Sequence, residues 1–480
     1  MIEFVGYAPD VDPTTQGVFT DCVDIVPTQA GFKGSPEAQD LGVAALPAAT
    51  YGAAIGVKLD NSSRLFAGTE TGIYEAIASS WTLRTVTTCN ASIDSRWAFG
   101  QFGDSTLAIN KGDPLFATTS GNFTAQGSPK ASCLTTVNGF VMLADTNETT
   151  YGNSPDRWWC SGLNDLTNWV PAVATQSTTG RLVDTPGPIR ALKALGNDVV
   201  AFKDRAMYLG RYVGPPVVWQ FFLIPGEIGC SSQDAVVNIG SSHVFMGYEN
   251  FYMFDGTRPV PIGDTFKRKF FNDLLDPVYR SRVLAVHDKA KSLVYFYYPK
   301  SGSGGVVNGC VVFNYLVGKW GVADRTIEAA AEYLSGSITY DTLSSYAPTY
   351  NTWPSVSYDS PFWNASSQVP AVFKTDHKIY SLTGASLTSS ITTGDVGDDS
   401  IYATFRRLRL RYLQSPTSAQ MINFYRDVLG DALTQDATIA QASGKFDVLR
   451  SARWHRAAIS FVGDHEFTGV VVDAEADGEE

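Results

Sequence analysis

At 480 residues, 44% hydrophobic and 12% aromatic, the chain has the material for a large core, which excludes long-range disorder. A formal net charge of -12 excludes tight, sequence-neutral DNA binding as its main activity, because neutralising phosphate supplies that affinity. Six scattered cysteines without a CxxC pair give no zinc or disulfide framework, and no apolar run reaches the roughly 20 residues of a membrane span.

Residues 1–48 hold few strand signals and many turn residues, among them Pro9, Pro13, Pro27 and Pro36. They read as an extended N-terminal arm lying over a partner or over the rest of the fold. From 49 to 391 one phrase recurs: a short apolar run, a tight polar turn, a second apolar run. Copies stand at Arg64–Glu75, Phe102–Phe116, Val137–Leu143, Val199–Leu209, His243–Phe254, Ser292–Asn314 and Ala371–Leu382. A spacing of about 35 to 60 residues is that of β-propeller blades. Seven phrases can be counted. The expectation is six blades, with one phrase belonging to an insertion or to a second domain.

A helix is predicted over Lys267–Asp276, capped by Asp264 and stopped by Pro277. In the next unit, Leu293–Tyr298 and Cys310–Tyr315 are nearly continuous apolar runs, as in strands covered on both faces. Between 336 and 368 the pattern lapses into Ser, Tyr, Asn and Pro, which predicts a surface insertion. Val372-Phe373 and Ile379-Tyr380 resume the phrase, and the Gly- and Asp-rich Thr392–Asp399 marks a domain boundary.

Residues 392–480 have a different character. Thr404–Tyr412 alternates: Leu408, Leu410 and Tyr412 point one way, and Arg407, Arg409 and Arg411 the other. With Ile422–Tyr425, Ala457–Phe461, Phe467–Val472 and an acidic tail at Asp473–Glu480, this predicts a small antiparallel platform or sandwich. The expected fold is therefore all-β, a six-bladed propeller with a smaller C-terminal β platform.

No GxSxG elbow, GxxxxGK[ST] loop or HExxH helix occurs, and the repeated sialidase box Ser-x-Asp-x-Gly-x-Thr-Trp is missing. His243, His287, His377, His455 and His465 sit in separate units without ligand spacing. These features predict neither an enzyme nor a cofactor. Gly394–Asp399 is rich enough in oxygen for calcium but lacks EF-hand spacing, so it reads as an interdomain loop. Trp158, Trp159 and Trp169 suit either a sugar platform or the space between sheets, and their spacing favours the latter. The stripe Arg407, Arg409, Arg411 is the candidate docking site, for an acidic protein surface or for phosphate. The alternative is a solvated face, or one paired within the chain to neighbours such as Asp447.

A longer succession carries a family resemblance. "PIGD" (261–264), "FKRKFFNDL" (266–274) and "RVLAVHDKAKSLVYFYYP" (282–299) are followed by Asp341-Thr342-Leu343 and Asp359-Ser360-Pro361-Phe362-Trp363. Then come "VPAVFKTDHKIYSLTG" (369–384), "FRRLRLRY" (405–412), "VLRSARWHRAAISF" (448–461) and "FTGVVVD" (467–473). "RWWCSGLNDLTNWVP" (157–171) belongs to the same set. This order resembles the tail nozzle, or tail hub, proteins of short-tailed bacteriophages, which include the packaged-DNA stabilisation and tubular nozzle proteins. The resemblance covers 160–480 well and the first 150 residues loosely.

It implies a propeller joined to a β platform, six copies of which form a ring in the tail of the virion below the portal and its adaptor. Tail fibres or tailspikes attach to the tail, and double-stranded genomic DNA leaves through the ring. It implies no catalytic residues, cofactor or metal. The alternatives are a carbohydrate-binding or glycan-degrading propeller of the tail, and a cellular propeller scaffold that binds other proteins.

Overall fold

A computed structural model describes residues 2–335 and 367–479. Six four-stranded antiparallel sheets stand as self-contained blades. Five are continuous in sequence: Ala53–Leu83, Ala98–Ala125, Lys130–Arg181, Ile189–Ile224 and Val236–Pro261. The sixth is built from Ala329–Ser335, Ser367–Phe373 and Ile379–Gly384, with Glu37–Asp40 as its outer strand. The molecule is thus the expected all-β propeller.

The remaining phrase, Leu284–Val322, also folds as a four-stranded meander. Its inner strand packs between those of the Val236–Pro261 sheet and the sixth blade, so the inner strands follow one another around a closed ring. Neighbours on both sides explain its composition: every residue of Leu293–Pro299 is buried. This unit does not stand alone. Its outer strand, Lys319–Val322, continues through Ile25–Pro27 and Phe32–Gly34 to Glu466–Glu479, Ile401–Gln414 and Phe446–Ala452. Propeller and platform therefore share one ten-stranded sheet. The arm can pass this closely because the sites it crosses are glycines. A Cβ at Gly321 would lie 2.2 Å from the Ile25 carbonyl oxygen, and one at Gly31 2.1 Å from that of Phe467.

The first 48 residues are more than an extended arm. They supply six short strands, of two to six residues, to the platform, to the shared sheet and to the sixth blade. Strands this short, punctuated by prolines, show no period in sequence. Sheet boundaries accordingly differ from the expected limits at 48 and 391. Glu37–Asp40 belongs to a blade, and Thr388–Thr393 pairs with Val18–Val23 and Trp454–Val462 in the platform.

The platform's second sheet runs Gly6–Tyr7, Val18–Val23, Thr388–Thr393, Trp454–Val462, Ser418–Arg426, Thr434–Gln435. Phe4, Phe19, Phe32, Leu408, Leu410, Ile459, Phe461 and Phe467 form the core of the sandwich. The predicted helix shortens to one α-helical turn, Lys267–Lys269, that widens over Phe270–Leu274 and ends at Leu275, whose backbone is already extended. Asp264 does not cap it; its carboxylate accepts from Lys267 Nζ and Asn250 Nδ2. The cap comes from the arm: the Asp10 carboxylate accepts from the backbone N–H of Arg268 at 2.5 Å and of Lys269 at 3.0 Å. Of the predicted insertion at 336–368, all but the last two residues lie outside the described residues; Ser367 and Gln368 are already in strand.

Candidate functional site

The arginine stripe lies on the outer face of the platform, on strand Ile401–Gln414. Leu408 and Leu410 are buried beneath it, as alternation predicts, while Arg409 and Arg411 are exposed. A β-bulge between Phe405 and Arg407 inserts Arg406 just before the stripe, and the three arginines after it differ in their partners. Arg407 Nε lies 3.0 Å from Asp447 Oδ1, and Lys445 Nζ is 3.2 Å from the same carboxylate. Arg406, which period-two reasoning passed over, pairs with Glu475. Arg409 and Arg411 make no ion pair with any described residue. The stripe is therefore one internally paired arginine and two free ones. Tyr412 is half-buried, its hydroxyl accepts from Gln441 Nε2 at 3.0 Å, and burial pushes it up to about 12.

The Asp-rich loop uses its carboxylates within the protein. Fully buried Asp395 receives Arg456 through two bonds, at 2.8 and 3.0 Å, and Arg426 Nη2 at 2.5 Å. Asp398 accepts from the Ser400 N–H at 2.8 Å, and Asp399 from Trp454 Nε1 at 2.8 Å. Among the described residues no group of three or more His, Cys, Asp or Glu is placed to hold a metal ion. Trp158, Trp159 and Trp169 are buried; the Trp158 ring packs 4.9 Å from Phe221, in the space between blades.

One arrangement had no signal in the sequence. Arg96, in the loop before the second blade, links that blade to two distant ones. Its Nη2 donates to the Glu328 carbonyl at 2.7 Å, and its Nε lies 3.4 Å from Asp234. Beside it, Asp94 is held through two bonds by Arg282, at 2.7 and 2.9 Å. Arg96 and Asp234 line both a cavity of about 210 Å³ and one of about 150 Å³ that Lys193 also lines. Gln233 ties three blades at the same level, accepting from the Leu192 N–H and donating to the Leu134 and Leu192 carbonyls. Side chains of Arg96, Lys193, Gln233 and Asp234 thus line the space between the inner strands.

The histidines remain apart, as their sequence positions suggest. His243 is buried with Nε2 2.8 Å from the Ala194 carbonyl, and burial pulls it down to about 4. Burial also lowers His287, His455 and His465. A histidine depressed in the fold binds its proton more readily when unfolded. Its contribution is complete above the unfolded value near 6.5 and is lost as pH falls toward the folded one. The stability difference between wild type and His243→Gln is therefore expected to shrink, by up to about 3 kcal/mol, between pH 7 and pH 4. Urea titrations at the two pH values measure it, and a constant difference would show that His243 is not buried neutral. Comparing variant with wild type removes the opposing effect of Asp24, which burial raises to about 6.

No family model matches the chain, and no curated protein matches it. Among solved structures it is similar to the WD40 domain of Neurospora crassa Pan2, at 10% identity and a TM-score of 0.40, covering 72% of this chain and 95% of that one. It is also similar to YCF48 from Cyanidioschyzon merolae (12%, TM-score 0.27, 61% and 97%) and to human WBSCR16 (8%, TM-score 0.33, 60% and 85%). The class defined by the sheets themselves is a β-propeller fused to a β platform.

Proposed function

We propose that this protein is a structural subunit of a short-tailed phage virion, a tail nozzle whose copies form a ring below the portal and adaptor. In this role it retains packaged DNA and conducts it during ejection. The observation that carries the reading is the continuous ten-stranded sheet joining propeller to platform. It makes one stiff block with two dissimilar ends, and a closed cyclic ring needs two different complementary surfaces on each subunit.

Two further features support it. The cavities that Arg96 and Asp234 line between the inner strands hold only about 210 and 150 Å³, far too little for a duplex, so on this reading the conduit lies between copies. A chain of net charge -12 repels phosphate, which suits a passage that DNA must leave without sticking. The role asks for no catalysis. The glycan-binding alternative loses its best residues, because Trp158, Trp159 and Trp169 are buried.

Electron microscopy of the virion tests the proposal: density for this chain is expected around the tail axis, directly below the adaptor. Density elsewhere, or absence from purified particles, would sink it. Replacing Arg407, Arg409 and Arg411 with Glu is expected to abolish incorporation into tails. The thermal midpoint should move by no more than about 2–4 °C, since the buried Leu408 and Leu410 are untouched. Normal incorporation would mean that the stripe is only solvated.

A further inference from the structure

We propose that the basic strand edge Arg409–Gln414 of one copy docks on the open acidic strand edge Val471–Asp477 of a second copy, so that neighbouring platforms share a sheet. The choice of a second copy as occupant rests on the ring reading above; the two surfaces are read from the platform itself.

Both edges belong to one long antiparallel strand pair, in which Arg409 faces Val471, Leu410 faces Val470 and Arg411 faces Gly469. On its other side, Ile401–Gln414 pairs with Phe446–Ala452 only as far as Leu408. Past that point Arg409–Gln414 has no strand beside it among the described residues. Glu466–Glu479 is covered on its second side by Phe32, Lys33, Ile2 and Glu3, and only as far as Val470. From Val471 onward it too lacks a neighbour among the described residues. Open edges expose rows of unpaired N–H and C=O groups and are templates for another strand.

The charges of the two edges are complementary. Arg409 and Arg411 are exposed cations without an ion pair among the described residues. Asp473, Glu475 and Asp477 are exposed along the other strand; Glu475 pairs with Arg406, Asp477 accepts from the Thr404 and Ser451 hydroxyls, and Asp473 has no ion pair among the described residues. The geometry also fits. The two strands run antiparallel, so a second copy in the same orientation, staggered along the strand, presents its Arg409 strand antiparallel to Val471–Asp477. Such a contact is head-to-tail and leaves the same pair of surfaces free at the ends. Copies therefore add until the rotation closes a ring.

The test is sedimentation of the full chain and two variants. Arg409→Ala with Arg411→Ala removes the basic surface. Asp473→Asn with Glu475→Gln and Asp477→Asn removes the acidic one. Wild type is expected to form a closed multi-copy species that weakens with salt, and each variant alone to associate at least about tenfold more weakly. Mixed together, the variants are expected to form two-copy complexes and nothing larger, because each retains one intact surface. Circular dichroism verifies folding. If the acidic variant unfolds, the charge-reversed pair Arg409→Glu/Arg411→Glu and Asp473→Lys replaces the mixture, and association restored only on mixing is expected.

A wild type that stays monomeric, variants that assemble like wild type, or a mixture that forms no dimer each overturns the proposal. So does a basic-surface variant that loses binding to a short DNA duplex while assembling normally, since the arginines then read phosphate. The nozzle reading fails separately. Edge-dependent assembly of a protein absent from virions would sink that reading alone. Tail density for a chain whose variants assemble normally would sink only this interface.

Discussion

Phe32→Ala is expected to destabilise the chain by about 3–5 kcal/mol, far more than its place in a three-residue strand of the arm suggests. Phe32 is fully buried, 4.9 Å from the Phe19 ring and 6.2 Å from that of Phe467, with the Lys319 ammonium 5.4 Å from its centroid. Its strand is also the seam. Phe32–Gly34 pairs with Ile25–Pro27, which pairs with the ring, while Phe32 and Lys33 pair with the platform's Phe467 and Glu466. The cavity left by the ring therefore opens between the two halves. Urea unfolding followed by a propeller probe and a platform probe is expected to give coincident curves in wild type. In the variant the midpoint falls and the curves separate. A loss below about 1 kcal/mol, with the curves still coincident, would show that the arm is only a strap over a finished structure.

Asp395→Ala is expected to cost about 3–5 kcal/mol, because it leaves two arginines without a counter-charge. The Asp395 side chain is completely buried, and those of Arg426 and Arg456 are 11% and 19% exposed, so water replaces the lost carboxylate poorly. A buried ion pair is costly to break from one side and much cheaper to replace whole. The triple variant Asp395→Ala/Arg426→Met/Arg456→Met is thus expected to recover a large part of the loss. Thermal or chemical unfolding of both variants decides it. A mild single variant would mean that the triad is solvated. A triple variant weaker than the single would mean that the arginines matter for their bonds to other groups.

The elements legible in the sequence were those whose signal is local. Leu293–Pro299 announces a strand covered on both faces, and the alternation around Leu408 and Leu410 announces a half-buried one. The recurring strand-turn-strand phrase identified a propeller because each blade buries its faces on neighbours of the same kind. The leftover seventh phrase was recognisable as well, but not its fusion to the platform. That fusion depends on the arm, whose two- to six-residue strands are too short to carry a period.

The candidate site divides in the same way. Period two placed Arg407, Arg409 and Arg411 on one face, and they do share the platform's outer surface. Which of them is paired was settled by the strand register that sets Asp447, forty positions along the chain, opposite Arg407. Arg96 gave no sign at all, since its partners Asp234 and Glu328 reach it only when the ring closes. The sequence alone determined the type of each strand and the face each buries, because those follow from patterns within a few residues. Only the tertiary structure decided which distant edges meet, which charges are neutralised and which remain exposed. Those outcomes depend on contacts between residues tens to hundreds of positions apart, whose loop-closure cost is offset only by the assembled fold.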